Sequence, residues 1–111
     1  MGDDDAHQPG NVWHAPSFVL SGGDVKPGRP VVIVQGPRYG RVQVWARTTQ
    51  LDERGIMTPA RLLPRLTKPG VFAYRHTHSI DVARLRAPAC EHLGMLPEPY
   101  LGALLEEWER R

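Results

Sequence analysis

The sequence predicts a mainly β domain, a small barrel with a helix packed against it at the C-terminal end. Three observations carry that expectation. The run "RPVVIVQ" (residues 29–35) holds four consecutive β-branched residues, Val31, Val32, Ile33 and Val34. Such a run belongs to a strand that is central or covered on both faces. After the turn-forming "GPRYG" (36–40), "RVQVWART" (41–48) alternates, with Val42, Val44 and Ala46 on one side and Gln43, Trp45 and Arg47 on the other. The two runs form a hairpin. Finally, Tyr100, Leu101, Leu104, Leu105 and Trp108 recur at helical spacing and form one apolar stripe.

The other elements follow in order. Residues 1–9 have no periodicity and read as a disordered tail, leaving one domain over residues 10–111. Gly10-Asn11 suits a turn, and Val12-Trp13 opens a first strand that Pro16 keeps short. "SGGDVKPG" (21–28) is a loop by composition. Between residues 51 and 70, Pro59, Pro64 and Pro69 argue against one long helix. A short strand is expected around residues 60–63, then a turn at Lys68-Pro69-Gly70. Residues 71–80, "VFAYRHTHSI", read as another strand, and "DVARL" (81–85) as a helical turn or a strand edge. Pro97 occupies a position tolerated in the first turn of the final helix. Short strands, turns rich in Gly and Pro, and a single helix together specify the barrel.

Bulk composition bounds the function. At 111 residues, 41% hydrophobic and 23% charged, the chain fits one ordinary globular domain. A mean hydropathy of -0.40 and the lack of a long apolar run exclude a transmembrane helix. The start is acidic and polar, so no secretory signal is expected. Cys90 is the only cysteine, which rules out an intramolecular disulfide and favours a cytoplasmic location. The net charge is only +2, with a pI of about 9.0. Its distribution says more. Asp3, Asp4 and Asp5 lie at one end and Glu106, Glu107 and Glu109 near the other, with twelve of the fourteen Lys and Arg residues between them. The basic middle suits a polyanionic partner, or is a solvated face rich in arginine.

Several chemistries fail on spacing. Cys90 and His92, or His76 and His78, do not supply the paired four-ligand pattern of a structural zinc site, so no metal is expected. "SGGDVKPG" lacks the Gly-Lys-Ser/Thr ending of a nucleotide loop, and no acidic cluster suits Mg²⁺. Cys90 has no partner that would activate it. His76 and His78 share one strand face. They form either an acid–base pair for phosphate chemistry or a pair of partly exposed strand histidines. Arg29 and Thr48 remain. Arg29 opens one strand of the hairpin and Thr48 closes the other, so both fall at one end of the sheet. A guanidinium and a hydroxyl there could stabilise the charge of a phosphodiester transition state. A capping arginine beside a β-forming threonine is the plain alternative.

Residues 10–106 resemble the MazF/PemK-type toxins, the endoribonuclease half of type II toxin–antitoxin systems. Gly10-Asn11-Val12-Trp13 stands where that family opens with Gly-Asp-hydrophobic-Trp/Tyr. Gly22-Gly23-Asp24 precedes Arg29-Pro30 and its apolar run, as a Gly-Ser-Glu loop does in the family. Thr48-Thr49-Gln50, Ser79-Ile80, Arg84-Leu85 and Leu93-Gly94 follow in matching order. The resemblance implies an SH3-like barrel and a homodimer. It also implies cleavage of single-stranded RNA without metal or cofactor, giving 2′,3′-cyclic phosphate and 5′-hydroxyl ends. Arg29 and Thr48 match the family's catalytic positions. Lys26, Arg47, Thr49, Gln50 and His76 are the implied RNA contacts, and residues 18–28 the loop that closes over RNA or yields to a cognate antitoxin. Asn11 replaces the usual acid, Asp24 the usual glutamate and His76 the usual glutamine, while the three-proline segment matches poorly. Two other readings stand beside it. One is a CcdB-like toxin that binds gyrase through its C-terminal helix, with Trp108 engaged. The other is an RNA-binding barrel without catalysis, carried by the mid-chain arginines.

Overall fold

A computed structural model describes residues 5–15 and 28–111. The chain is mainly β, and the described residues form six strands: β1 (Asn11–Ala15), β2 (Arg29–Arg38), β3 (Arg41–Thr48), β4 (Gly55–Thr58), β5 (Gly70–Asp81) and β6 (Glu91–Met95). A one-turn helix, α1 (Val82–Leu85), follows β5, and α2 (Tyr100–Glu109) ends the fold. The strands form one antiparallel sheet in the order β4-β5-β3-β2-β1-β6. It curls as a half-barrel, with β4 and β6 at the two ends of the order among the described residues. The mainly β fold with a C-terminal helix is as expected, and the sheet is a half-barrel.

The sheet is covered on both faces, which explains the β-branched run in β2. Val32 and Val34 join Trp45, Phe72, Leu93 and Leu104 in one core. Val31 and Ile33 join Val42, Val44, Ala46 and Ile80 in another. The first core is roofed by α2 through Leu101, Leu104 and Trp108, and by Leu62, Leu63 and Leu66. Leu85 and Val82 of α1 cover the second, with Cys90 and Ala6. All four β2 residues are essentially inaccessible because each faces one roof or the other.

The β2–β3 hairpin turns on Tyr39 and Gly40, with φ of 53° and 75°. Two positive φ values in a two-residue turn match the twist of the flanking strands. Asp81 caps α1, its carboxylate accepting from Ala83 N at 3.0 Å. Three expectations need correction. Residues 60–63 are not a strand. Arg61 and Arg65 sit at φ of 64° and 70°, incompatible with extended backbone, and Leu62 and Leu63 plug the core from a turn. The strand of that region lies earlier, at Gly55–Thr58. The helix starts at Tyr100 rather than at Pro97, and Leu105 faces outward, 39% exposed. Nor does order begin at Gly10. Asn11 donates to the Asp5 and Gln8 carbonyls at 2.8 and 2.9 Å, and Trp13 Nε1 to the Ala6 carbonyl at 2.9 Å. His7 is 1% exposed and stacks on Trp13 with centroids 5.4 Å apart. Residues 5–9 are docked because a buried indole and a buried amide need those carbonyls.

Candidate functional site

The β2–β3 register builds the site. Val32 pairs with Trp45 and Val31 with Ala46. Continued by two residues, that pairing sets Arg29 opposite Thr48. At this end the β2–β3 pairs stop at Val31 and Ala46. Arg29 is also the β2 partner of Ala15, and Thr48 pairs with Val71 of β5. Alternation puts Arg29 with Val31 and Ile33, and Thr48 with Val44 and Ala46, on one and the same sheet face. Both residues are half-buried.

Thr48 is held by its own turn. Its Oγ1 accepts from Gln50 N at 3.2 Å. A hydroxyl that accepts a hydrogen bond keeps its proton for donation outward. Thr49 and Gln50 are exposed beside it. The Gln50 N–H bond thus closes the turn at the end of β3 and leaves the Thr48 proton to donate elsewhere.

Arg47 behaves differently from what the resemblance implies. It is 6% exposed and points into the first core. Its Nε donates to Thr58 Oγ1 at 3.1 Å, and its Nη2 to the Thr58 and Lys68 carbonyls at 3.3 and 2.8 Å. Its guanidinium lies over the Phe72 ring, 5.9 Å from the centroid. Burial lowers its pKa. Among the described residues it pairs with no carboxylate, so a charge is buried against neutral oxygens and a ring. An RNA contact by Arg47 is therefore corrected to an internal one, tying β3 to β4 and to the start of β5. A Cβ at Gly70 would stand 2.6 Å from Arg47 Cζ, so glycine makes room for it.

His76 lies where the β3–β5 ladder is irregular, between the Trp45–Thr77 pair and the Arg47–Phe72 pair. It is half-buried, as is His78 opposite Val44. The structure thus brings Arg29, Thr48, Thr49 and Gln50 to one end of the sheet, with His76 further along the neighbouring strand. Lys26, and most of the loop 18–28, lie outside the described residues.

Other reactive groups fall elsewhere. Burial pushes the Cys90 thiol up, and its Sγ donates to the Arg84 carbonyl at 3.3 Å. Among the described residues no three His, Cys, Asp or Glu side chains gather as metal ligands. Two clefts flank α2, of about 410 and 540 Å³. The larger is lined by Asp52, Glu53, Arg54, Tyr74, Arg75, Glu107 and Arg111. Two ion pairs line it, Arg75–Glu53 at 2.9 Å and the i,i+4 pair Arg111–Glu107 at 3.3 Å, and Arg111 stacks on Tyr74 at 4.4 Å. Neither cleft includes Arg29 or Thr48. No helix among the described residues is long and apolar enough to cross a membrane.

The sequence does not single out Thr58, and it marks Gly70 only as part of a turn. A threonine buried at 0% exposure on a four-residue strand leaves only a faint trace, the Ile-Met-Thr alternation. No family model matches the chain, and a search of curated proteins finds no match.

Proposed function

We propose that the chain is a metal-independent endoribonuclease of the MazF/PemK kind, the toxin of a toxin–antitoxin pair, cutting single-stranded RNA. The observation that supports this reading is that Arg29 opens β2 and Thr48 closes β3, so that the antiparallel register, continued past the Val31–Ala46 pair, sets them at the same end of the sheet and on one face. In the proposed reaction the 2′-oxygen bonds to the adjacent phosphorus and the bond from phosphorus to the 5′-oxygen breaks. The 2′-hydroxyl gives up its proton, and the leaving 5′-oxygen takes one. Arg29 stabilises the added negative charge on the phosphorane, and the Thr48 hydroxyl donates to one of its oxygens. Thr49 and Gln50, exposed at the same end, contact the neighbouring nucleotides with Lys26 and His76. A homodimer, a cognate antitoxin and a cytoplasmic setting belong to the same proposal.

The test is incubation with a long single-stranded RNA in EDTA. Wild-type protein should yield discrete fragments with cyclic-phosphate and 5′-hydroxyl ends. Arg29→Ala should slow cleavage by roughly 10²–10³-fold, the usual effect of losing one transition-state donor. Undiminished cutting by Arg29→Ala would overturn the mechanism. Intact RNA together with recovered gyrase would favour the CcdB-like reading, and RNA bound but uncut would favour the binding-only one.

A further inference from the structure

The far end of the β2–β3 hairpin from Arg29 is basic and carries an aromatic ring that the fold does not use. Tyr39 is 99% exposed. It also sits at φ 53°, a conformation that costs a bulky residue energy and that asparagine or glycine fills without strain. Packing cannot account for a side chain that touches almost nothing. Arg38 and Arg41 flank the turn and pair across it. Arg41 is fixed by Ser79, its Nε donating to Oγ and its Nη2 to the carbonyl, each at 2.9 Å. The turn also docks α1, Val82 N donating to the Gly40 carbonyl at 2.9 Å. Arg84 of α1 and Arg86 just after it are thereby brought beside the tip, and all four arginines are exposed. None of them pairs with a carboxylate among the described residues. Asp81 is the one acid in this stretch, and its carboxylate is engaged as the cap of α1.

We propose that this tip is a second contact for single-stranded RNA, with Tyr39 stacked on a base and Arg38, Arg41, Arg84 and Arg86 along the phosphates. A cluster of positive charge around an exposed ring fits an unpaired strand, because every base has a face to stack while a duplex hides its own. The inference takes only the class of ligand from the proposed function. β2 spans ten residues, so Arg29 and the tip lie up to about 30 Å apart, near the full 30 Å width of the molecule. A strand of several nucleotides is needed to reach both.

The experiment uses the full chain and a fluorescent 2′-O-methyl RNA of about twelve nucleotides. That strand has no 2′-hydroxyl to attack, so binding is read without cleavage. The triple variant Arg38→Gln, Arg84→Gln, Arg86→Gln should reduce the slope of log affinity against log salt by about 2, near 0.7 per lost phosphate contact. Tyr39→Ala should weaken binding roughly 5- to 100-fold, and Tyr39→Phe should leave it nearly unchanged. An unmoved salt slope, or unmoved affinity in Tyr39→Ala, would overturn the proposal. So would equal weakening for duplex DNA, or a Tyr39→Ala effect on sedimenting mass with none on RNA, which marks a contact between copies. All five side chains are exposed, so circular dichroism should show the fold intact. Cutting of ordinary RNA separates the two proposals. Tip-dependent binding without cleavage retires the ribonuclease and keeps the tip; cleavage with an unmoved slope does the reverse.

Discussion

Arg47 brings a permanent charge into the interior, and its three acceptors, Thr58 Oγ1 and the Thr58 and Lys68 carbonyls, are what make that tolerable. Arg47→Ala should cost about 2–4 kcal/mol, since it strands buried oxygens and empties a cavity over Phe72. That is a fall in melting temperature of roughly 10 °C or more. Arg47→Lys should recover only part of the loss, because an ammonium lacks the planar fork. An RNA contact would instead show as weaker binding at unchanged stability. Two histidines supply a pH test. Burial, then Arg65, lowers the pKa of His14, and burial lowers that of His92. A depressed histidine pKa means the unfolded chain binds the extra proton first as pH falls. Stability from this source is therefore full above the ordinary histidine pKa of about 6.5 and is lost as pH drops through the lower, folded values. Melting temperature should decline on acidification from pH 7, and His92→Gln should flatten the decline.

At the scale of elements, α2 gives the sharpest contrast. Leu104 is fully buried and Leu105 is 39% exposed, although both lie on the predicted stripe. Leu104→Ala should cost about 2–5 kcal/mol and Leu105→Ala within about 0.5 kcal/mol, read from urea denaturation. The β2–β3 hairpin was legible in the sequence because both signals, the β-branched run and the alternation, are local. β6 was not. Its "EHLGM" buries only Leu93 fully, and Gly94 at φ 132° breaks the pattern, so no period of two is written there. β4 is faint in the sequence because it spans only four residues, while the stronger apolar signal of Leu62 and Leu63 comes from a turn. Arg47 shows the same limit. Alternation placed it on the face of Gln43 and Trp45, but only the arrival of β4 and α2 makes that face interior. That Arg29 and Thr48 share the open end of the hairpin was legible because the first residue of one strand and the last of the next lie at the same end.

For the molecule as a whole, the two proposed sites fall at opposite ends of one hairpin. The open end bears Arg29 and Thr48, and the tip bears Tyr39 and its arginines. The first pair is half-buried and the tip is exposed, while the middle of β2 and β3 is buried in the two cores. The basic bias of the middle of the sequence thus resolves into unlike places. Arg47 is internal, Arg65 and Arg75 are held by Glu91 and Glu53, and the tip arginines face water.

The strand order has a kinetic consequence. β1 lies between β2 and β6, and its pairing with β6 joins Asn11 to Met95. The His92–Asn11 bond closes the same gap, 81 positions apart in sequence. Contacts that distant pay loop-closure entropy before they return any stabilisation. Refolding in a stopped-flow mixer should therefore fall in the millisecond-to-second range expected of non-local β topologies, despite the fast local hairpin. During synthesis, β1 must wait with one edge bare until the last strand leaves the ribosome, and that interval is when the chain is most open to pairing with a stranger.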